Sequence, residues 1–355
     1  MALLDAYGAA NARASSGGES RIIRMAYGAD ELYTRLSFRA LALWLKFFDG
    51  ERPGLFYRTG ALFLAPAQDK VLRDSRAALR KVGVPFEELA AAAVRRRYPR
   101  IAVGDDVKAI FEPGSGALMA RQAVEAVAEA AVRAGAEYRL AAVEPFQGRD
   151  AAEGLRTPAG ERIVAGTYVF ACGPWLPKVF PALLGRRIFP TRQEVMFFGA
   201  PAGDGGFGPE ALPVWLDRTH EDMPYGFPDL ERRGFKMAFD RHGEAFDPDG
   251  GSRLVELASV ENARRYLAER FPALAAAPLI ESRVCQYENT SSGDFLFDRH
   301  PEFSNVWIVG GGSGHGFKHG PAVAEYFVER LNERGQAEPR FGLQTKDEVQ
   351  NRRVF

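Results

Sequence analysis

Cysteine is nearly absent: the 355 residues include two, Cys172 and Cys285. Two thiols cannot staple a chain of this length, and their spacing fits no zinc pattern, which excludes a disulfide framework and a cysteine-rich metal centre. Histidine is also scarce, at five residues, and no His-Glu-x-x-His string occurs, so a metal-dependent mechanism has no support. No run of about 18 apolar residues is present, which argues against a membrane-crossing helix. The start has no basic segment leading into an apolar core, so a reducing, cytoplasmic setting is expected. Net charge is missing as well, with 46 lysines and arginines against 46 aspartates and glutamates. No overall field therefore favours nucleic acid or an anionic membrane, and charge selectivity has to come from local groups.

Hydrophobic residues make up 46% of the chain, enough to bury a sizeable core, and the length suits two domains. Helical spacing predicts helices over 30–48, 68–82, 121–135, 260–271 and 321–331. Apolar runs predict strands over 60–65, 137–140, 143–146, 155–157, 162–165, 167–173 and 305–310, with a mostly β region over 193–257. Two of these strands run into glycine turns, at Gly173 and over 310–316, where strand ends commonly face a ligand. The polar tail after Arg334 is expected to be peripheral.

Met1-Ala2-Leu3-Leu4-Asp5 reads as the end of a buried strand with an acid at its carboxyl edge, followed by a Gly- and Ser-rich loop. In a dinucleotide-binding fold such an acid receives ribose hydroxyls, and a strand, a GxGxxG turn and a helix lie upstream of it. Those roughly 30 residues are not in the sequence, so a parallel sheet with a gap and an exposed, aggregation-prone edge is expected.

Seven stretches, in order and at similar spacing, resemble the sarcosine oxidase and N-methyltryptophan oxidase family within the D-amino acid oxidase superfamily. They are Ser15-Ser-Gly-Gly-Glu-Ser-Arg-Ile-Ile-Arg24, Ile110-Phe-Glu-Pro-Gly-Ser-Gly-Ala117, Ala171-Cys-Gly-Pro-Trp175, Pro224-Tyr-Gly-Phe-Pro228, Cys285-Gln-Tyr287, Asp298-Arg-His-Pro301 and Gly312-Ser-Gly-His-Gly-Phe-Lys318. Each string alone is common, but together they span nearly the whole chain. The resemblance implies an α/β fold: an N-terminally truncated FAD-binding domain (Rossmann-like, glutathione reductase type) from 1–60, 117–185 and 290–355, and a substrate domain with a mixed or antiparallel sheet from 61–116 and 186–289. It further implies a monomer that oxidises a small-molecule amine, an N-methyl or other secondary amino acid, to an imine that water hydrolyses. The same resemblance implies that molecular oxygen is reduced to hydrogen peroxide.

By resemblance, Arg24 and Lys318 clamp the substrate carboxylate, Arg21 stands against the flavin ring, and Lys236 promotes the reaction with oxygen. Tyr225 lines the substrate cavity, and Cys285 is the residue that many members bond to FAD. Asp5, Ser15, Ser16, Gly17, Cys172, Gly173, Trp175, Gly312, Gly314, His315 and Gly316 pass close to the cofactor. Without the resemblance the same residues read more plainly. Arg21 and Arg24 are then solvated ion pairs, Lys236 an outward residue on an alternating strand, Tyr225 simple packing, Cys285 an inert small hydrophobe and His315 a turn residue satisfying backbone groups. Asp240 departs from the pattern, since sarcosine-specific members carry histidine there. An aspartate favours a substrate with a cationic or hydroxyl-bearing group over one with a second carboxylate. Two alternatives stay open: a related amine dehydrogenase that uses another electron acceptor, and an inactive truncated relative that binds a small molecule or a protein partner.

Overall fold

In the computed structural model, which describes residues 1–145 and 154–351, strand Ala61–Pro66 is apolar at every position because both its faces are covered. Leu62 and Leu64 point into one core while Phe63 and Ala65 point into another, as the two-residue repeat of a strand requires. The strand lies inside an eight-stranded sheet ordered Leu279–Asn289, Phe189–Phe198, Phe235–Phe239, Pro224–Phe227, Val214–Asp217, Ala61–Pro66, Val107–Glu112 and Glu87–Ala90. Neighbours run antiparallel except for Val214–Asp217 beside Ala61–Pro66. One face packs Trp215, Phe235 and Met237 against helix Leu257–Arg270. The other packs Phe63, Ile110 and Phe227 against helices Glu31–Glu51 and Lys70–Val82. Each large apolar side chain buried this way contributes roughly 1.5–3 kcal/mol.

Local signals set the limits of the helix Lys70–Val82. The Asp69 carboxylate accepts the Leu72 N–H at 2.7 Å, and Gly83 ends the helix at φ 81°, a conformation that costs glycine little. Asp69→Ala is expected to lower stability by about 1 kcal/mol, seen as a lower urea midpoint at unchanged slope. Asp69→Asn keeps the cap and loses only the partly exposed ion pair with Arg218 at 3.3 Å, so its midpoint should fall much less.

The other two parallel pairs lie in two separate sheets. Ala2–Asp5 pairs with Glu137–Leu140, which follows helix Ala120–Arg133. Tyr168–Phe170 pairs in parallel with Val306–Gly310, whose other edge holds the antiparallel strand Leu296–Arg299. Among the described residues no ladder joins the two. No described helix is long and apolar enough to cross a membrane.

The predicted helices appear as Glu31–Glu51, Lys70–Val82, Ala120–Arg133, Leu257–Arg270 and Gly320–Leu331. The strand expected over 143–146 does not form at 143–145, and Phe146 lies outside the described residues. The expectation of a peripheral tail after Arg334 is overturned. Phe341 is buried against Tyr33, Phe295 and Phe297, and Lys346 is buried with its Nζ donating to Arg340 O and Thr345 Oγ1. Arg340 binds the carboxylates of both Asp30 and Asp294. Polar composition did not keep this segment outside, because its two described cations, Arg340 and Lys346, find oxygen partners inside.

Candidate active site

Arg21 opens the short strand Arg21–Ile23, which pairs with Gly116–Leu118. Its guanidinium folds back on the preceding loop, donating to Ser20 O at 2.8 Å and Ser15 O at 2.5 Å, and lies 3.9 Å from the Cys285 Sγ. Lys236 reaches the same loop from the large sheet and donates to Ser20 O at 2.9 Å and Ser20 Oγ at 3.1 Å. It is buried, 4% exposed, with its Nζ 4.4 Å from the centre of the Phe227 ring. Phe235 and Met237, one residue to either side, point into the opposite core, so the alternation of the strand sends Lys236 inward. Burial holds the Lys236 ammonium pKa well below its usual value, and the charge of Arg21 pushes it the same way.

A second pair of cations meets at Tyr27. The Arg24 guanidinium carbon lies 4.7 Å and the Lys318 Nζ 5.1 Å from the Tyr27 ring centre, and both side chains are buried. Arg24 donates to Ala26 O, and Lys318 donates to His315 O at 3.0 Å. The Tyr27 hydroxyl hydrogen-bonds with His315 Nδ1 at 3.2 Å and His319 Nε2 at 2.9 Å. Glu112 holds this stretch in place: it accepts the Met25 and Ala26 N–H groups at 2.8 and 2.7 Å and the Ser115 hydroxyl at 2.6 Å. This explains the Glu-Pro-Gly-Ser string at 112–115, whose role sequence reasoning did not reach. A glutamate in a strand covered on both faces was the available signal.

Tyr225 and Asp240 form a third group with Tyr287. Tyr287 donates to Asp240 Oδ1 at 3.0 Å, and Tyr225 is pushed up to about 12, chiefly by burial and then by Asp240. The glycine turn closes on this group, since a Cβ on Gly314 would come within 2.6 Å of the Tyr287 ring. Gly314 itself adopts φ 77°. Gly312 and Gly316 approach each other across the same turn, a Cβ on Gly316 falling 2.9 Å from Gly312 Cα.

The remaining candidates lie at the carboxyl ends of the parallel strands. Asp5 Oδ1 accepts the Tyr7 and Gly8 N–H groups at 2.8 and 2.9 Å, closing a tight turn into the loop that carries Ser15, Ser16 and Gly17. Arg121 donates to Gly17 O at 2.9 Å and fixes the far side of that loop. Cys172 is pushed up to about 12 by burial, with Glu288 and Asp5 adding to it, which leaves an inert thiol. Gly173 begins the 3-10 turn Gly173–Trp175, and the Trp175 indole donates to Asp249 at 2.7 Å. Among the described residues, the buried polar atoms without a hydrogen-bond partner include Ser15 Oγ, Glu288 Oε2 and His319 Nδ1. Orphaned donors and acceptors beside close glycine turns are what a polar, elongated ligand would satisfy.

The sequence profile of the FAD dependent oxidoreductase (DAO) family matches residues 1–330. A monomeric sarcosine oxidase of Bacillus sp. (strain B-0618) is 30% identical over 328 residues, covering 91% of this chain and 83% of its own. An N-methyl-L-tryptophan oxidase of Salmonella arizonae is 27% identical over 326 residues, covering 91% of this chain and 86% of its own. The structure of an L-proline dehydrogenase from P. horikoshii shares the fold, with a TM-score of 0.77 at 21% identity over 92% of this chain and 85% of that one. The chain belongs to the DAO family of FAD-dependent oxidoreductases.

Proposed function

We propose that the chain oxidises an N-methyl or other secondary amino acid to an imine that water hydrolyses, with oxygen as electron acceptor and hydrogen peroxide as product. The observation that carries this reading is the meeting of Arg24 and Lys318 at one tyrosine ring. Two buried cations at one ring suit a substrate carboxylate, which would meet both charges and fix the amino acid.

The residues present fit FAD. A thiol and two cations converge at Cys285, Arg21 and Lys236, and the orphaned polar atoms lie beside the glycine turns. FAD supplies, when bound, the two-electron oxidation of the carbon beside the amine nitrogen. Arg21 places positive charge against the ring, and Cys285 is the residue we assign to a thioether with the cofactor. Lys236, its ammonium disfavoured by burial and by the Arg21 charge, would balance negative charge that develops beside it. Arg24 and Lys318 orient the substrate carboxylate. Tyr225 and Asp240 face its side chain, and the aspartate favours a hydroxyl-bearing or cationic group there over sarcosine. Asp5, the Ser15-Ser16-Gly17 loop, Gly173, Trp175 and the turn from Gly312 to Gly316 with His315 surround the rest of the cofactor. The large sheet with its helices forms the substrate domain in this reading. The chain acts as a monomer, which the name of the Bacillus relative favours.

Peroxide production from a panel of N-methyl amino acids tests the proposal. Lys318→Met is expected to lower kcat/KM by about 10²-fold with FAD content retained, because one of the two charges that hold the carboxylate is gone. An unchanged kcat/KM would remove the clamp from the mechanism.

A further inference from the structure

Glu288 lies near the end of strand Leu279–Asn289, on the face opposite Cys285 and Tyr287. Its carboxyl is wedged between the turns that end two parallel strands. Oε2 lies 3.3 Å from where a Cβ on Gly173 would sit, and Oε1 lies 3.2 Å from one on Gly312. Gly312 N–H donates to Oε1 at 2.9 Å and the Gly311 N–H also faces the carboxyl, while among the described residues Oε2 is buried without a hydrogen bond of ordinary geometry. The residue is 9% exposed, and among the described residues it makes no ion pair. A lone buried carboxylate is costly, and a buried acid whose O–H meets no acceptor is costly too. Either form leaves one oxygen in need of a ligand, in the crevice where open parallel sheets bind theirs.

We propose that Glu288 is a cofactor-binding residue that, as the acid, donates a hydrogen bond from Oε2 to an oxygen of the ribityl-diphosphate arm of FAD. The proposal rests on FAD as the cofactor. Burial pushes Glu288 up to about 7, so the acid form is well populated at neutral pH. The titratable groups facing it are Cys172, from the turn after Tyr168–Phe170, and beyond it Asp5, from the end of Ala2–Asp5. Neither the Cys172 thiol nor the Asp5 carboxyl group offers a positive charge to counter a negative one on Glu288. On its own strand the adjacent Asn289 and Gln286 carry no charge. When pH rises through about 7 the donor is lost and a negative charge faces an anionic arm.

The test titrates FAD into apoprotein, followed by quenching of flavin fluorescence, in a Cys285→Ala background that keeps binding reversible. The dissociation constant is expected to rise about tenfold from about pH 6 to about pH 8.5. Glu288→Gln, a permanent donor of similar shape, should bind as tightly as the parent at the lower pH and lose the slope. Glu288→Leu should bind weakly throughout, and if it fails to fold the glutamine variant still decides. The same slope in Glu288→Gln as in the parent would overturn the proposal, as would a flat parent that binds FAD tightly. A parent that takes up no FAD at any pH would overturn the cofactor assignment along with it.

Discussion

Lys236→Met is expected to leave reduction of the flavin by substrate largely intact and to slow its reoxidation by oxygen by about 10²-fold or more. Stopped-flow mixing separates the two half-reactions: anaerobic substrate for the first, oxygenated buffer for the second. The expectation follows from where the amine sits. Lys236 is 4% exposed and held by Ser20, and the fixed charge of Arg21 beside it opposes protonation. Negative charge forming nearby favours the ammonium, which acts strongly in a low-dielectric site. Methionine fills similar space between Phe197 and Phe227 but offers neither proton nor charge. Equal reoxidation rates would assign the oxygen reaction elsewhere. The substitution also has a stability sign. The folded chain holds Lys236 with fewer protons than the unfolded chain does, so this group makes folding more favourable as pH climbs toward the ordinary lysine range. Removing it should therefore raise stability at neutral pH and flatten that dependence.

Asp217→Ala is expected to cost about 3–5 kcal/mol, measured as a lower denaturant midpoint. Asp217 is 1% exposed and ends strand Val214–Asp217. One carboxylate oxygen accepts Thr219 N–H at 2.8 Å and the Thr219 hydroxyl at 2.6 Å. The other accepts the Tyr266 hydroxyl and Arg270 Nε, each at 2.8 Å. Arg270 also donates to Ala102 O and Thr219 Oγ1, so alanine at 217 strands a guanidinium that cannot swing into water. The exposed pair Arg39–Glu325 gives the contrast: Glu325→Ala should move the midpoint far less. Similar losses from both substitutions would mean that the interior relaxes around Arg270.

What was legible in the sequence was local or serial. Helix Lys70–Val82 announces itself through its helical spacing over 68–82, and strand Ala61–Pro66 through its apolar run. Arg21, Lys236 and Cys285 were nominated together only because their short strings matched one family in order, and the fold brings them to one loop. Alternation left Lys236 ambiguous, because a strand covered on both faces gives no period that separates inside from outside. Glu112 and Glu288 were passed over for a related reason: each is a glutamate in a strand context, and its value depends on backbone N–H groups 86 or 24 residues away. The tail failed the same way, with the partners of Arg340 at Asp30 and Asp294.

That clasp of Arg340 orders events in time. The guanidinium bridges the cap of helix Glu31–Glu51 to the segment just before strand Leu296–Arg299, and it emerges from the ribosome only after both. During synthesis, Asp30 and Asp294 must wait with their charges unmet while the large sheet between them in sequence is already complete. A nascent chain stalled before Arg340 would carry every strand of the large sheet while this clasp is still open, the state a chaperone would meet.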